Sequence, residues 1–216
     1  MIGRLQETLS QVADLGGPVV LLLAALSVAT AATVIYKLWQ FTAAGVGRHA
    51  ALRRAVTAWD AGDRTTARTE IERSRSFLRP VIDMATGGLR DAARLAAEAE
   101  ARFARLERGF RFLDTVAQLA PLLGLFGTVL GMITAFQALQ DAGAQVDPSV
   151  LAGGIWVALL TTAAGLAVAM PTSAVLSWFE ARMDAERVFA ARAIHAILMP
   201  GMTAEADEPI AAAEHA

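Results

Sequence analysis

No cysteine occurs anywhere in the chain. That excludes disulfides, cysteine-ligated zinc, iron–sulfur clusters and thiol catalysis, and leaves the compartment open. Histidine is almost as scarce: His49, His195 and His215 are scattered, so no metal set and no catalytic pair emerges from their spacing. There is no glycine-rich phosphate loop. Aromatic residues make up only 6% of the chain, which argues against a soluble core built on large rings. From about Thr115 to Leu139, and again from about Val150 to Phe179, not one ionisable residue appears. Without an acid, base, nucleophile or metal cluster in those stretches, the chain is not expected to be an enzyme or to hold a cofactor.

What is present instead is apolar. Hydrophobic residues account for 55% of the 216 positions, and the mean hydropathy is +0.45. A hydrocarbon core of roughly 30 Å needs about 20 helical residues to cross it. Three stretches are long enough: residues 17–36, 115–139 and 150–179, of which the first is free of charge throughout. The last two exceed what a bilayer demands and should tilt or protrude.

Positive charge sets the expected orientation. Between Lys37 and Phe112 lie 15 of the 19 lysines and arginines, against nine acids. The short segment 140–149 holds Asp141 and Asp147 and no base, while Arg182, Arg187 and Arg192 follow the third span. The expected plan is therefore a periplasmic N-terminus (1–16), a first span (17–36), a cytoplasmic helical domain (37–114), a second span (115–139), a periplasmic loop (140–149), a third span (150–179), a cytoplasmic helix (180–202) and a disordered acidic tail (203–216). Ala29-Thr30-Ala31 would pass as a signal-peptidase site, but cleavage there would export the basic segment, so a retained anchor is expected.

Within the cytoplasmic region, residues 48–75 read as two short helices joined at Asp60-Ala61-Gly62-Asp63, and Pro80 and Gly87-Gly88 break the chain again. From Leu89 a long helix is expected to run without interruption into the second span. Its apolar residues Ala92, Ala96, Ala99, Phe103, Leu106, Phe110 and Leu113 form a narrow seam. That seam could face the chain's own helices or a neighbouring copy. Acids interleave with the arginines of this helix, which favours membrane-proximal anchoring over nucleic-acid binding.

The spans are lined by small residues. Gly124, Gly127, Thr128, Gly131 and Thr134 share one side of the second, with Gly127 and Gly131 at the spacing that admits a close helix neighbour. Gly154, Ala158, Thr161, Thr162, Gly165, Ala169, Thr172 and Ser173 share a side of the third. The glycines and alanines suit helix packing. The hydroxyls either bond back to their own helix or line a hydrated path. A proton relay at depth needs a group that can hold a proton, normally Asp, Glu or His. The second and third spans have none, so the chain alone should conduct no protons unless through a bare water wire, and any such group must come from a partner. Met170-Pro171 marks a kink.

With these residues in view, the chain resembles the MotA/TolQ/ExbB proton-channel family, and within it the three-span ExbB/TolQ branch. The resemblance rests on PLLGLFGTVLGM at residues 121–132 and GGIWVALLTTAAGL at residues 153–166, in the family's order and topology. It implies an all-α integral membrane protein that forms a ring, two of its three transmembrane helices extending into a helical cytoplasmic domain. It further implies a homopentamer in the bacterial inner membrane around two helices of an ExbD/TolR-like single-span protein, each bearing an Asp that takes up and releases protons as the coupling ion. A TonB- or TolA-like transducer would carry the work to the outer membrane. By the same resemblance Thr128 and Thr162 face the lumen, with Thr161 beside them. The Thr161-Thr162 pair and the short N-terminal segment favour the ExbB side. At Val157 the family commonly has an acid or amide, so this lumen is expected to be more apolar. A flagellar-stator subunit usually has four spans and a larger cytoplasmic region. A non-conducting membrane scaffold remains the alternative from another class.

Overall fold

The computed structural model describes residues 2–141 and 148–201, with side chains from Gly17 onward except at Val150. The expected tail at 203–216 and most of the expected loop at 140–149 lie outside the described residues. Among these the secondary structure is entirely helical: α1 (Ile2–Ala43), α2 (Ala50–Asp60), α3 (Arg64–Arg73), α4 (Arg79–Thr86), α5 (Ala92–Glu107), α6 (Phe110–Asp141) and α7 (Pro148–Leu198). Three helical segments are long and apolar enough to cross a membrane: Gly17–Ala43, Phe110–Asp141 and Leu151–Leu198.

The chain divides into two compact units. One comprises Met1–Tyr36 and Gly109–Phe179, the other Lys37–Arg108 and Glu180–Ala216. The divisions at Tyr36/Lys37 and Phe179/Glu180 fall where apolar sequence gives way to charged sequence.

In the first unit, α1 is bent at Gly17, whose φ of 65° and ψ of −165° are not helical and which precedes Pro18. Val19 and Leu23 of α1, Val116 and Ala120 of α6, and Ala169 of α7 form a buried cluster. Phe110 and Phe179 stack beside each other with ring centroids 5.7 Å apart. Much of the remaining apolar surface is uncovered by the chain itself: Val28 is 71% exposed, Trp156 64% and Leu159 63%. In each candidate span's most apolar window only 17–22% of the residues are buried. Such surface in a soluble protein would be an aggregation site; here it is the surface a bilayer or neighbouring helices cover.

In the second unit, α2 and α3 form a hairpin with its turn at Gly62, where φ is 85°. Asp63 caps α3 by accepting the Thr66 N–H at 2.9 Å and the Thr65 hydroxyl at 2.7 Å. Hydrogen bonds from Thr66, side chain and backbone, and from Thr65 pull the Asp63 carboxyl down to about 2. Asp91 caps α5 in the same way through the Arg94 N–H. Leu52, Ile71, Leu78, Val81, Ile82, Leu95 and Met183 are among this unit's buried apolar residues, each at most 2% exposed.

Polar contacts tie this unit's segments together. The Glu186 carboxylate, 1% exposed, accepts the Gly47 N–H at 2.8 Å and lies 2.8 Å from His49 Nε2. The His49 ring stacks on Phe189 at 4.2 Å. Arg187 pairs with Glu107 at 2.7 Å and Glu100 at 3.0 Å, and the Trp59 indole donates to the Ile197 carbonyl at 3.2 Å.

Two expectations change here. The helix expected to run unbroken from Leu89 into the second span is interrupted at Gly109, whose φ of 96° lies in the left-handed region that glycine tolerates and other residues avoid. The seam also begins differently. Leu95 is fully buried, whereas Ala92 and Ala96 are exposed, before the expected Ala99, Phe103, Leu106, Phe110 and Leu113. Stepping back four residues from Ala99, instead of three, turns the larger leucine inward. Phe103 meets Phe77 edge-on at 5.7 Å, so this part of the seam packs within its own chain.

Candidate functional site: the glycine–threonine crossing

α6 and α7 cross through residues without side-chain bulk. A Cβ added at Gly165 would sit 2.5 Å from the Ala120 carbonyl oxygen, and one at Gly124 would sit 2.9 Å from the Thr161 carbonyl oxygen. At Gly127 it would meet the Thr161 side chain at 2.7 Å, and at Gly131 it would come within 3.3 Å of the Ala158 Cβ. Gly154 is equally tight against Ala135. Helix backbones can approach this closely only where one partner lacks a side chain, which is how small residues bring membrane helices together. Ala158 is 3% exposed within this crossing, and Ala169, at 5%, packs toward α1.

The hydroxyls divide into two kinds. Thr161 is 1% exposed and donates to its own helix at the Ala158 carbonyl, 2.7 Å away, with the Gly124 carbonyl of α6 at 3.2 Å. It is a wedge inside the crossing, with no open face. Thr162 is half-buried, and its hydroxyl lies 3.5 Å from the same Gly124 carbonyl. The structure thus brings Thr161 and Thr162 together on one backbone oxygen. Thr128, also half-buried, donates within its own turn to the Leu125 carbonyl at 2.6 Å. Thr134 likewise bonds back to Leu130 at 3.0 Å. No hydrogen bond links Thr128 to Thr162.

A hydroxyl that donates to a helix carbonyl keeps its oxygen lone pairs free, so it can accept a proton-bearing group but cannot itself store a charge near neutral pH. No carboxylate or imidazole is available at the crossing. Among the described residues no cluster of three or more His, Cys, Asp and Glu side chains could hold a metal. Val157 is half-buried and lines a cavity of about 320 Å³ together with Gly17, Pro18, Gly131, Thr134 and Gly154.

Two features escape a reading of spacing alone. The Gly124 carbonyl, the common target of two threonines, is backbone and has no sequence signature. The buried Glu186–His49 contact joins residues 137 positions apart, and an acid in a charged helix looks like any solvated one until its neighbours are known.

Three membrane-length helices, with the second and third locked through glycines and bearing hydroxyls without acids, define a multi-pass membrane protein built on helix–helix contact. The family model of the MotA/TolQ/ExbB proton channel family matches residues 63–189, more than half of the chain, and the chain belongs to that family. Its relatives lie in the ExbB/TolQ branch. The chain is similar to the biopolymer transport protein exbB1 of Vibrio cholerae, 39% identical over 102 residues, covering 46% of this chain and 44% of that one. It is similar to a protein named as an ExbB homologue in Methanothermobacter thermautotrophicus, 44% identical over 81 residues, 38% of this chain and 28% of that one. It is also similar to the Tol-Pal system protein TolQ of Haemophilus influenzae, 42% identical over 80 residues, 37% of this chain and 35% of that one. The chain thus spans less than half the length of these curated relatives.

Proposed function

We propose that this protein is the ring subunit of a proton-motive-force-driven motor in a bacterial inner membrane. One observation carries the reading: a member of a proton-channel family has no ionisable residue in its second or third span. A proton crossing low-dielectric surroundings needs a titrating group, so the acid must arrive on another chain. Five copies would surround a pair of single-span helices from an ExbD/TolR-like protein, whose Asp takes up a proton from the periplasmic side and releases it to the cytoplasm. Protons are then the only coupling species.

The Thr162 and Thr128 hydroxyls would offer lone pairs along that route, to water or to the protonated partner acid. Thr161, occupied inside the crossing, would keep α6 and α7 at a fixed separation. Val157 adds no polar group, so in this reading the subunit shapes the path and the partner moves the proton. The N-terminus would be periplasmic and the C-terminus cytoplasmic, following the positive charge. The apolar residues left uncovered by a single chain, among them Leu122, Leu125 and Trp156, support assembly with copies and lipid. A TonB- or TolA-like transducer would deliver the work to the outer membrane.

Native mass spectrometry of the complex, extracted gently from its own membrane, tests this. Five copies with one or two copies of a small Asp-bearing single-span protein are expected. A dimer, or a ring without that partner, would overturn the motor and leave a non-conducting scaffold.

A further inference from the structure

α1 and α7 line an open-sided cavity of about 240 Å³ beside Pro171, which lies inside the continuous helix α7. Thr30 and Ser27 line it from α1, and Ala167, Val168, Pro171 and Thr172 from α7. Proline has no N–H, so the carbonyl of Ala167, four residues earlier, loses the donor that a regular helix would supply. On α1, Thr30 is 6% exposed, and its hydroxyl is buried without a hydrogen-bond partner. Its neighbours behave otherwise: Thr33 bonds back to the Ala29 carbonyl at 2.8 Å, and Thr172 to the Val168 carbonyl at 2.7 Å. Thr30 therefore departs from the local pattern at the place where α7 has a carbonyl to spare.

Thr30, with its unused hydroxyl, and Ala167, whose carbonyl a proline four residues on cannot serve, thus both line one cavity in the unit that holds the membrane-spanning helices. Lipid offers no hydrogen bonds to either, and unpaired polar groups at membrane depth are destabilising. The cavity has room, since one water takes roughly 30 Å³ of liquid volume and needs two to four polar partners.

We propose that this cavity is a water-binding site, in which one or more ordered waters bridge the Thr30 hydroxyl to the Ala167 carbonyl. The oxygens of Ser27 and Thr172 supply further partners. None of Thr128, Thr161 and Thr162 lines it, so it is separate from the glycine–threonine crossing. The water replaces the hydrogen bond that Pro171 removes and lets α7 carry a proline at depth without an orphan carbonyl. The proposal depends on the chain spanning a membrane and not on what energises it.

A mutant cycle on the full-length assembled protein tests it, read as the apparent unfolding midpoint in detergent. Thr30→Val keeps the shape and removes the hydroxyl. It is expected to lower the midpoint by roughly 2–4 °C, while Thr30→Ser leaves it within about a degree. In a Pro171→Ala background, where residue 171 again donates to Ala167, the loss from Thr30→Val should fall by at least half. A midpoint that stays put or rises on Thr30→Val overturns the proposal, because it marks a dry cavity whose hydroxyl was only a burden. An equal loss in both backgrounds also overturns it, since the water would then not reach Ala167. If Pro171→Ala fails to assemble, a map of the unaltered protein that resolves ordered water decides. Density between Thr30 and Ala167 supports the site, and an acyl chain or an empty cavity there refutes it.

Discussion

The two units solve the same packing problem in opposite ways. In the unit of Met1–Tyr36 and Gly109–Phe179, α6 and α7 hold each other by removing atoms: glycines let backbone approach backbone, and threonines spend their protons on nearby carbonyls. In the unit of Lys37–Arg108 and Glu180–Ala216, segments are joined by adding atoms: a buried carboxylate between a loop and α7, a guanidinium shared by two acids of α5, and an indole reaching a carbonyl. The difference follows the solvent each segment is built for. In hydrocarbon, burying an apolar side chain gains little because lipid is equally apolar, so close contact and internal hydrogen bonds decide association. In water, burial of leucine and isoleucine drives the fold, and charged groups persist inside only where they are paired. Glu186 is such a group, and Gly165 is its counterpart in the membrane.

Three measurements would break or sharpen that contrast. The largest effect is expected from Glu186→Ala, which strands the Gly47 N–H and the His49 ring and opens a void where the carboxylate sat. It should destabilise the second unit by about 3 kcal/mol, seen as early loss of protease resistance between residues 44 and 60 while the spans remain inserted. Uniform loss across both units would show that they do not unfold separately. Gly165→Ala comes next. Its new Cβ would lie 2.5 Å from the Ala120 carbonyl oxygen and 3.1 Å from the Gly124 Cα, neither of which is a flexible side-chain end. Forcing the helices apart should cost about 1–3 kcal/mol, measurable by unfolding in mixed micelles. A neutral result would mean that the crossing is looser than its glycines require.

The smallest effect concerns pH. The Asp63 carboxyl is drawn from 3.8 to about 2 by Thr66 and Thr65, so its folded-state value lies below its unfolded one. The capping contribution is then fully present above about pH 4 and is lost as pH falls through about 2. Carbon-13 titration of Asp63 should show the depressed midpoint, and Thr66→Val should move it back toward 3.8. An unshifted midpoint in the unaltered protein would remove the cap from α3.

Much of this protein was readable from residue order, because a membrane is an exacting solvent. Twenty or more apolar residues in a row have few other fates, and the presence of three membrane-length helices, the α2–α3 turn and the small-residue stripes all follow from one-dimensional patterns. The lack of a titrating group at depth is also a property of sequence alone, and so are the two motifs that carry the family resemblance. Tertiary structure decided which members of a stripe do what. Thr161 and Thr162 are adjacent in sequence, yet one is sealed in the crossing at 1% exposure and the other is only half-buried, because successive residues on a helix point about 100° apart. It decided that the helix before the second span breaks at Gly109, since glycine permits a left-handed turn without requiring one. It decided that the Thr30 hydroxyl has no hydrogen-bond partner and that Glu186 has two, both on Oε1. Hydrogen bonds between distant segments depend on where two helices meet, and no periodicity within either helix encodes that.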